Sequence, residues 1–230
     1  MLKLEGCVIR NSDFTLHADV EIPAGARAAV IGPSGAGKST LIEAIAGFRD
    51  VSEGRIAWDG SDMAGRDPGK RPVAMLFQDG NLFPHLTAAQ NVALGIRPGG
   101  RLRAAEQDQV TSALERVGLA DMGARKQASL SGGQQSRVAL ARVLVQRRAI
   151  LLLDEPFAAL GPALKIEMLD LVAALVAETG TTLLMVSHDP DDARRITDQA
   201  LLVADWIVTR FGDTDALLDD PPPALRDYLG

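Results

Sequence analysis

Nine consecutive residues, GPSGAGKST (32–40), have the composition of a grip for phosphate. They fit the pattern G-x-x-x-x-G-K-[ST] in full from Gly32 to Ser39. In such a loop Gly32, Ser34, Gly35, Ala36 and Gly37 turn backbone N–H groups inward around phosphate oxygens, and Pro33, which has no N–H, helps to shape the turn. Lys38 brings an ammonium to the β- and γ-phosphates, Ser39 offers a hydroxyl to Mg²⁺, and Thr40 continues into a helix whose positive end faces the anion. The stretch ILLLDEP (150–156) supplies carboxylates. Ligands of α/β sheets sit beyond the carboxyl ends of strands. Asp154 therefore arrives where the cation is needed, and Glu155 follows as a base for the attacking water. A pair of solvated acids after a core strand is the plainer alternative. Gln78 closes VAMLFQ and His188 closes LLMVSH. At strand ends of the same sheet, Gln78 could reach the cation or the water, and His188 the γ-phosphate and Glu155. Each is also compatible with an ordinary polar residue at a strand end.

A second glycine-bearing stretch, LSGGQ (130–134), opens a long helical pattern. Ser131, Gly132, Gly133 and Gln134 can be read as a serine helix cap. They can equally be read as a second phosphate contact. One subunit is not expected to fold this segment over its own phosphate loop, but two subunits placed head to tail can do so reciprocally. Each nucleotide would then lie between one chain's loop and the other chain's LSGGQ.

These residues need elements to hold them. FTLHADVEI (14–22) alternates apolar and mostly polar residues, as a half-buried strand does. ARAAVIG (26–32) is a short apolar run feeding the glycine loop, and 38–47 reads as a helix stopped by Gly47. GRIAWDG and PVAMLFQ read as strands. From about Leu82 to Val145 the patterns become helical, with a break at 97–100 and with Val110, Ala113, Leu114 and Val117 on one face. After Ala149 the chain returns to strands, AILLLDEP and TTLLMVSHD, with a helix and a glycine stop between them. The expectation is an α/β fold: a mainly parallel sheet covered by helices on both faces, with a helical insertion at 82–145. The proline-rich end, DDPPPALRDYLG, gives no clear pattern.

Composition narrows the function. The chain has 230 residues, enough for one domain with an inserted subdomain, and a net charge of −6 that argues against a nucleic-acid surface. Its one cysteine, Cys7, allows no internal disulfide and fits a reducing compartment. Glu5 stands where a signal peptide would be apolar, and no apolar run approaches membrane-spanning length. The expected place is the cytosol or a membrane surface reached through a partner.

GPSGAGKST, Gln78, LSGGQ, ILLLDEP and SHD, in this order, resemble the ATP-binding cassette (ABC) family across almost the whole chain. The resemblance implies a phosphate-loop NTPase of RecA-like type, with an antiparallel β part beside the parallel sheet and a single ATPase domain over 1–230. It implies ATP and Mg²⁺ as ligands. Glu155, His188 and Gln78 become catalytic, residues 32–40 and 131–134 nucleotide-binding, and Ser39, Gln78 and Asp154 the metal site. RPVAMLFQDGNLFPHLTAAQNVALG (71–95) is similar to bacterial importer ATPases, and MLKLEG, ILLLDEPFAALGPALKIEML and TTLLMVSHDPDDA to those serving thiamine. That implies a homodimer on the cytoplasmic face of the inner membrane, bound to permease subunits and served by a periplasmic solute-binding protein, with no nucleic acid. Another small solute or ion is the alternative cargo, and a non-transport ABC ATPase the alternative class. Three features depart from the family. An aromatic near the N-terminus usually stacks on adenine, and here only Phe14 is near. Gly161 stands where an aspartate is usual. Gln135 and Ser136 follow LSGGQ where a basic residue and glutamine are common.

Overall fold

The computed structural model describes residues 1–77, 80–99 and 101–229. Its strands are β1 (Leu2–Arg10), β2 (Thr15–Ile22), β3 (Arg27–Ile31), β4 (Glu53–Trp58), β5 (Ser61–Asp62), β6 (Val73–Leu76), β7 (Ile150–Asp154), β8 (Thr182–Val186), β9 (Gln199–Ala204) and β10 (Ile207–Phe211). They form one sheet in the order β5-β4-β1-β2-β10-β9-β3-β8-β7-β6. The half from β9 to β6 is parallel, with β3 between β8 and β9 and β7 between β8 and β6. The pairs β1–β2, β1–β4, β4–β5 and β9–β10 are antiparallel. The architecture is therefore the expected α/β one, with an antiparallel part beside the parallel sheet.

Burial follows the sequence patterns. β7 and β8 are covered on both faces, which explains their unbroken apolar runs. β2 buries every second residue, Leu16, Ala18, Val20 and Ile22. Phe14 lies just outside it, because the strand begins at Thr15. The helix α1 (Lys38–Ala46) puts Leu41, Ile42 and Ile45 into a core shared with Leu4, Ile9, Val30, Leu152 and Leu184, so it is held between the two halves of the sheet. It stops at Gly47, whose φ of 93° lets its N–H reach the carbonyls of Glu43 and Ala44.

Between β6 and β7 run α2 (Ala88–Ala93), α3 (Ala104–Arg116) and α4 (Gly132–Leu144). Val110, Ala113, Leu114 and Val117 all face the core, as the spacing predicts. The helices cover less of 82–145 than the sequence pattern suggests; 123–126, for example, is irregular. Then come α5 (Pro162–Thr179), α6 (Pro190–Ile196), α7 (Thr214–Asp219) and α8 (Pro223–Leu229). The proline-rich end is thus ordered: Pro223 starts a helix, as proline at a first helical position can. Leu217, Leu218 and Leu225 pack on Ala29, Ile31, Ala200 and Leu202.

Cys7 sits where the β1 pairing shifts register, between Leu4 and Cys7 on one side and Glu5 and Val8 on the other. Its Sγ lies 3.1 Å from the Arg55 carbonyl, and burial pushes the thiol up to about 11.

Candidate functional site

Because β3, β7 and β8 run the same way side by side, their carboxyl ends come together. The glycine loop leaves β3, Asp154 and Glu155 end β7, and Ser187 and His188 follow β8. Gly32 is required by close packing: a Cβ there would stand 2.0 Å from the Val203 carbonyl oxygen on β9. Gly37 takes φ 102° to turn the loop into α1, and caps that helix without a side chain. The first N–H groups of α1 are therefore left to an anion.

Lys38 is buried, with Nζ donating to the carbonyls of Gly32 at 2.7 Å and Pro33 at 2.9 Å. Burial holds its pKa down, opposed by the charges of Glu155 and Asp154. Ser39 Oγ donates to Asp154 Oδ1 at 3.3 Å. The Asp154 carboxyl is pushed up, first by burial; the Ser39 hydrogen bond holds it down, and Glu155 and Glu43 push it further up. A hydroxyl and a desolvated carboxylate in contact form the hard-oxygen donor set that suits Mg²⁺, and a cation there would relieve the buried charge.

Glu155 breaks the strand with a left-handed backbone, φ 46°, while its N–H donates to the Val186 carbonyl at 3.2 Å. Such strain in a non-glycine residue costs on the order of 1–3 kcal/mol and gathers at functional sites. It aims the carboxylate at His188, whose Nε2 meets Glu155 Oε1. A cavity of about 270 Å³ lies between the glycine loop, Glu155 and His188, and Phe14 forms one wall. Phe14 is backed by Trp206, a residue that the sequence patterns gave no reason to single out.

Ser131 caps α4: its hydroxyl accepts from Gln134 N at 3.3 Å, and Gln134 Oε1 accepts from Ser131 N at 3.0 Å. The cap reading of LSGGQ is thus realised in the structure. Gly133 is buried against Leu164 of α5, while Ser131 and Gly132 face outward. None of residues 131–134 lines the phosphate-loop cavity of the same chain. Gln78 lies outside the described residues. Just beyond it, the carbonyls of Gly80 and Asn81 accept from Arg142 of α4 at 2.6 and 2.7 Å, so α4 grips the loop that follows Gln78.

A phosphate loop on a parallel sheet, with an acid pair and a histidine at neighbouring strand ends, defines a nucleotide-hydrolysing ATPase of the phosphate-loop class. The ABC transporter family matches residues 16–158, more than half of the chain, which belongs to that family and binds and hydrolyses ATP. It is 63% identical over 230 residues to the thiamine import ATP-binding protein ThiQ of Ruegeria sp. (strain TM1040), covering 100% of both chains. CbiO1 of Clostridium perfringens, part of the ABC transporter complex cbiONQ, superposes with a TM-score of 0.84 at 30% identity, over 95% of this chain and 90% of that one. The dimeric ATP-binding cassette MJ0796, solved in a post-hydrolysis state with ADP and Pi, gives 0.78 at 28% identity, over 92% and 98%.

Proposed function

We propose that this chain is the ATP-hydrolysing subunit of a bacterial thiamine importer. The observation that carries the reading is its full-length 63% identity to a thiamine import ATP-binding protein. The site geometry supplies the chemistry. The inward N–H groups of 32–40 and Lys38 bind the phosphates. Ser39, Asp154 and Gln78 hold Mg²⁺, which when bound offsets the charge of the phosphate oxygens. Glu155 takes the proton of the attacking water as its oxygen bonds to the γ-phosphorus and the bond to the ADP oxygen breaks, giving ADP and phosphate. His188 keeps Glu155 in place and faces the γ-phosphate. Phe14 supplies the face on which the base lies.

None of Ser131, Gly132, Gly133 and Gln134 lines the phosphate-loop cavity of its own chain, and Ser131 and Gly132 are exposed, which favours their use by a second copy. In that arrangement two ATP molecules join a homodimer, and hydrolysis loosens it. Residues 82–145 act as a helical subdomain within a single ATPase domain, 1–230. Among the described residues no helix is long and apolar enough to cross a membrane. In this reading, which rests on the likeness to a thiamine import ATP-binding protein, the ATPase works at the cytoplasmic face of the inner membrane through permease subunits, which receive the solute from a periplasmic binding protein.

The test is a deletion in a host that cannot synthesise thiamine. Growth on scarce external thiamine should fail, and return with the wild-type chain but not with Glu155→Gln. Unimpaired thiamine uptake in the deletion strain would refute the cargo.

A further inference from the structure

The segment carrying His188 is fixed from behind by one cation. Lys165, near the start of α5, donates through Nζ to Asp189 Oδ2 at 2.5 Å and Asp192 Oδ1 at 2.8 Å. The second oxygen of Asp192 accepts from Ser187 Oγ at 3.1 Å, and Ser187 Oγ accepts from the Asp189 N–H at 3.1 Å. The residues immediately before and after His188 are thus both tied, through two carboxylates, to a single ammonium. This is not a loose surface pair: the side chains of Lys165 and Asp192 are only 20% and 15% exposed. Without the ammonium, two carboxylates would face each other in a half-buried space that also opens onto Glu155.

The network also joins two parts of the site. α5 opens shortly after Glu155, and its cap is Gly161, which has no side chain with which to reach anything. Lys165 lies one helical turn further, its N–H bonded to the Gly161 carbonyl at 2.9 Å. Lys165 does not line the phosphate-loop cavity, so it touches no position that the nucleotide occupies there.

We infer that Lys165 is a positioning residue that holds His188 against Glu155, tying the start of α5 to the end of β8 where Gly161 offers no side chain for the task. The inference rests on the ATPase reading of the site given above.

The test compares full-length wild type, Lys165→Met, Lys165→Arg, His188→Ala and the Lys165→Met/His188→Ala pair. ATP affinity is measured by equilibrium binding, and hydrolysis by product release. Lys165→Met should lower kcat roughly 10–100-fold, the scale of a misplaced catalytic group, while ATP affinity and KM hold. Lys165→Arg should recover most of the rate, because a guanidinium can also bridge two carboxylates. In the His188→Ala background Lys165→Met should add little, because its effect passes through His188. An unchanged kcat in Lys165→Met overturns the inference. So does a loss that multiplies with that of His188→Ala. If Lys165→Met does not fold, Asp192→Asn carries the same test: the same non-additive loss is expected, and full activity overturns the inference. His188→Ala at full rate would refute the role given to His188 in the site, and the inference with it, while leaving the ATPase activity intact. Full activity in Lys165→Met beside an impaired His188→Ala refutes the inference alone.

Discussion

Phe14 and Trp206 stack with ring centroids 4.3 Å apart and planes 14° from parallel, although they come from opposite ends of the chain. Trp206 reaches this position at a conformational cost. Ala204 pairs with Ile207, so Asp205 and Trp206 form a two-residue hairpin turn. Both have positive φ, 49° and 61°. Such a turn favours Asp-Gly, and a bulky residue at its second position costs about 1 kcal/mol or more. The stack returns on the order of 0.5–1.5 kcal/mol.

The two contributions can be separated by substitution. Trp206→Gly loses the stack but relieves the turn, and should stay within about 1 kcal/mol of wild type. Trp206→Ala loses the stack and keeps the strain, and should be the less stable of the two by about 1 kcal/mol. Denaturant titration checks the order, and an alanine variant more stable than the glycine variant contradicts it.

The same pair bears on the base. A phenyl face stacks but offers no hydrogen bond, so discrimination among ATP, GTP and CTP should be modest. Both Trp206 variants should weaken ATP several-fold, about 1 kcal/mol, and leave inorganic tripolyphosphate unaffected. Equal losses for both ligands would place the effect on the phosphate loop instead.

Glu155→Gln should retain ATP binding, nearly abolish turnover and trap an ATP-bound dimer, because an amide cannot accept the proton of water. Size-exclusion chromatography with ATP and a phosphate-release assay check both halves. Hydrolysis at the wild-type rate would assign the base elsewhere.

Asp154→Asn should separate stability from function. In the folded chain the Asp154 pKa is raised above its ordinary 3.8, so the folded state binds more protons than the unfolded one above that value. Wild-type stability is therefore lost as pH rises from 3.8 through the raised pKa, and stays lost above it. The asparagine variant has no such loss. Without divalent cations, its melting temperature should exceed that of wild type by a margin that opens with rising pH and then levels. Added Mg²⁺ should stabilise only wild type. A margin that opens on acidification would refute the burial argument.

Much of this site was legible in the sequence because chemistry and local structure agreed there. Gly47 stops α1, Val110 to Val117 face inward, and Asp154 ends a doubly buried strand, each as spacing alone predicts. Phe14 was misplaced into a strand, since alternation continues through it, and only tertiary contact with Trp206 decides its position. The C-terminal helices were hidden because prolines mark a helix start as readily as a break. The Lys165 network joins residues 24 and 27 positions further along the chain, Asp189 and Asp192, and no local pattern encodes such a contact.

Ser131→Arg tests whether LSGGQ serves a second copy. Nucleotide binding to the monomer should persist, while ATP-driven dimerisation and hydrolysis fail. Mixing Ser131→Arg with Lys38→Ala subunits puts both lesions in one composite site and leaves the other intact. Some hydrolysis should return, provided the two sites do not have to fire together. A Ser131→Arg chain that dimerises and hydrolyses ATP normally would refute the shared site.

Cys7 makes such an interface open to direct spectroscopy. With its thiol shut against the Arg55 carbonyl and its pKa at about 11, almost none of it is thiolate at neutral pH, the form that maleimides attack. A cysteine introduced on the outward side of α4 or beside Gly161 would be the single reactive handle on each subunit. Dyes or spin labels placed there would report the opening and closing of the pair during turnover, with the native residue left untouched.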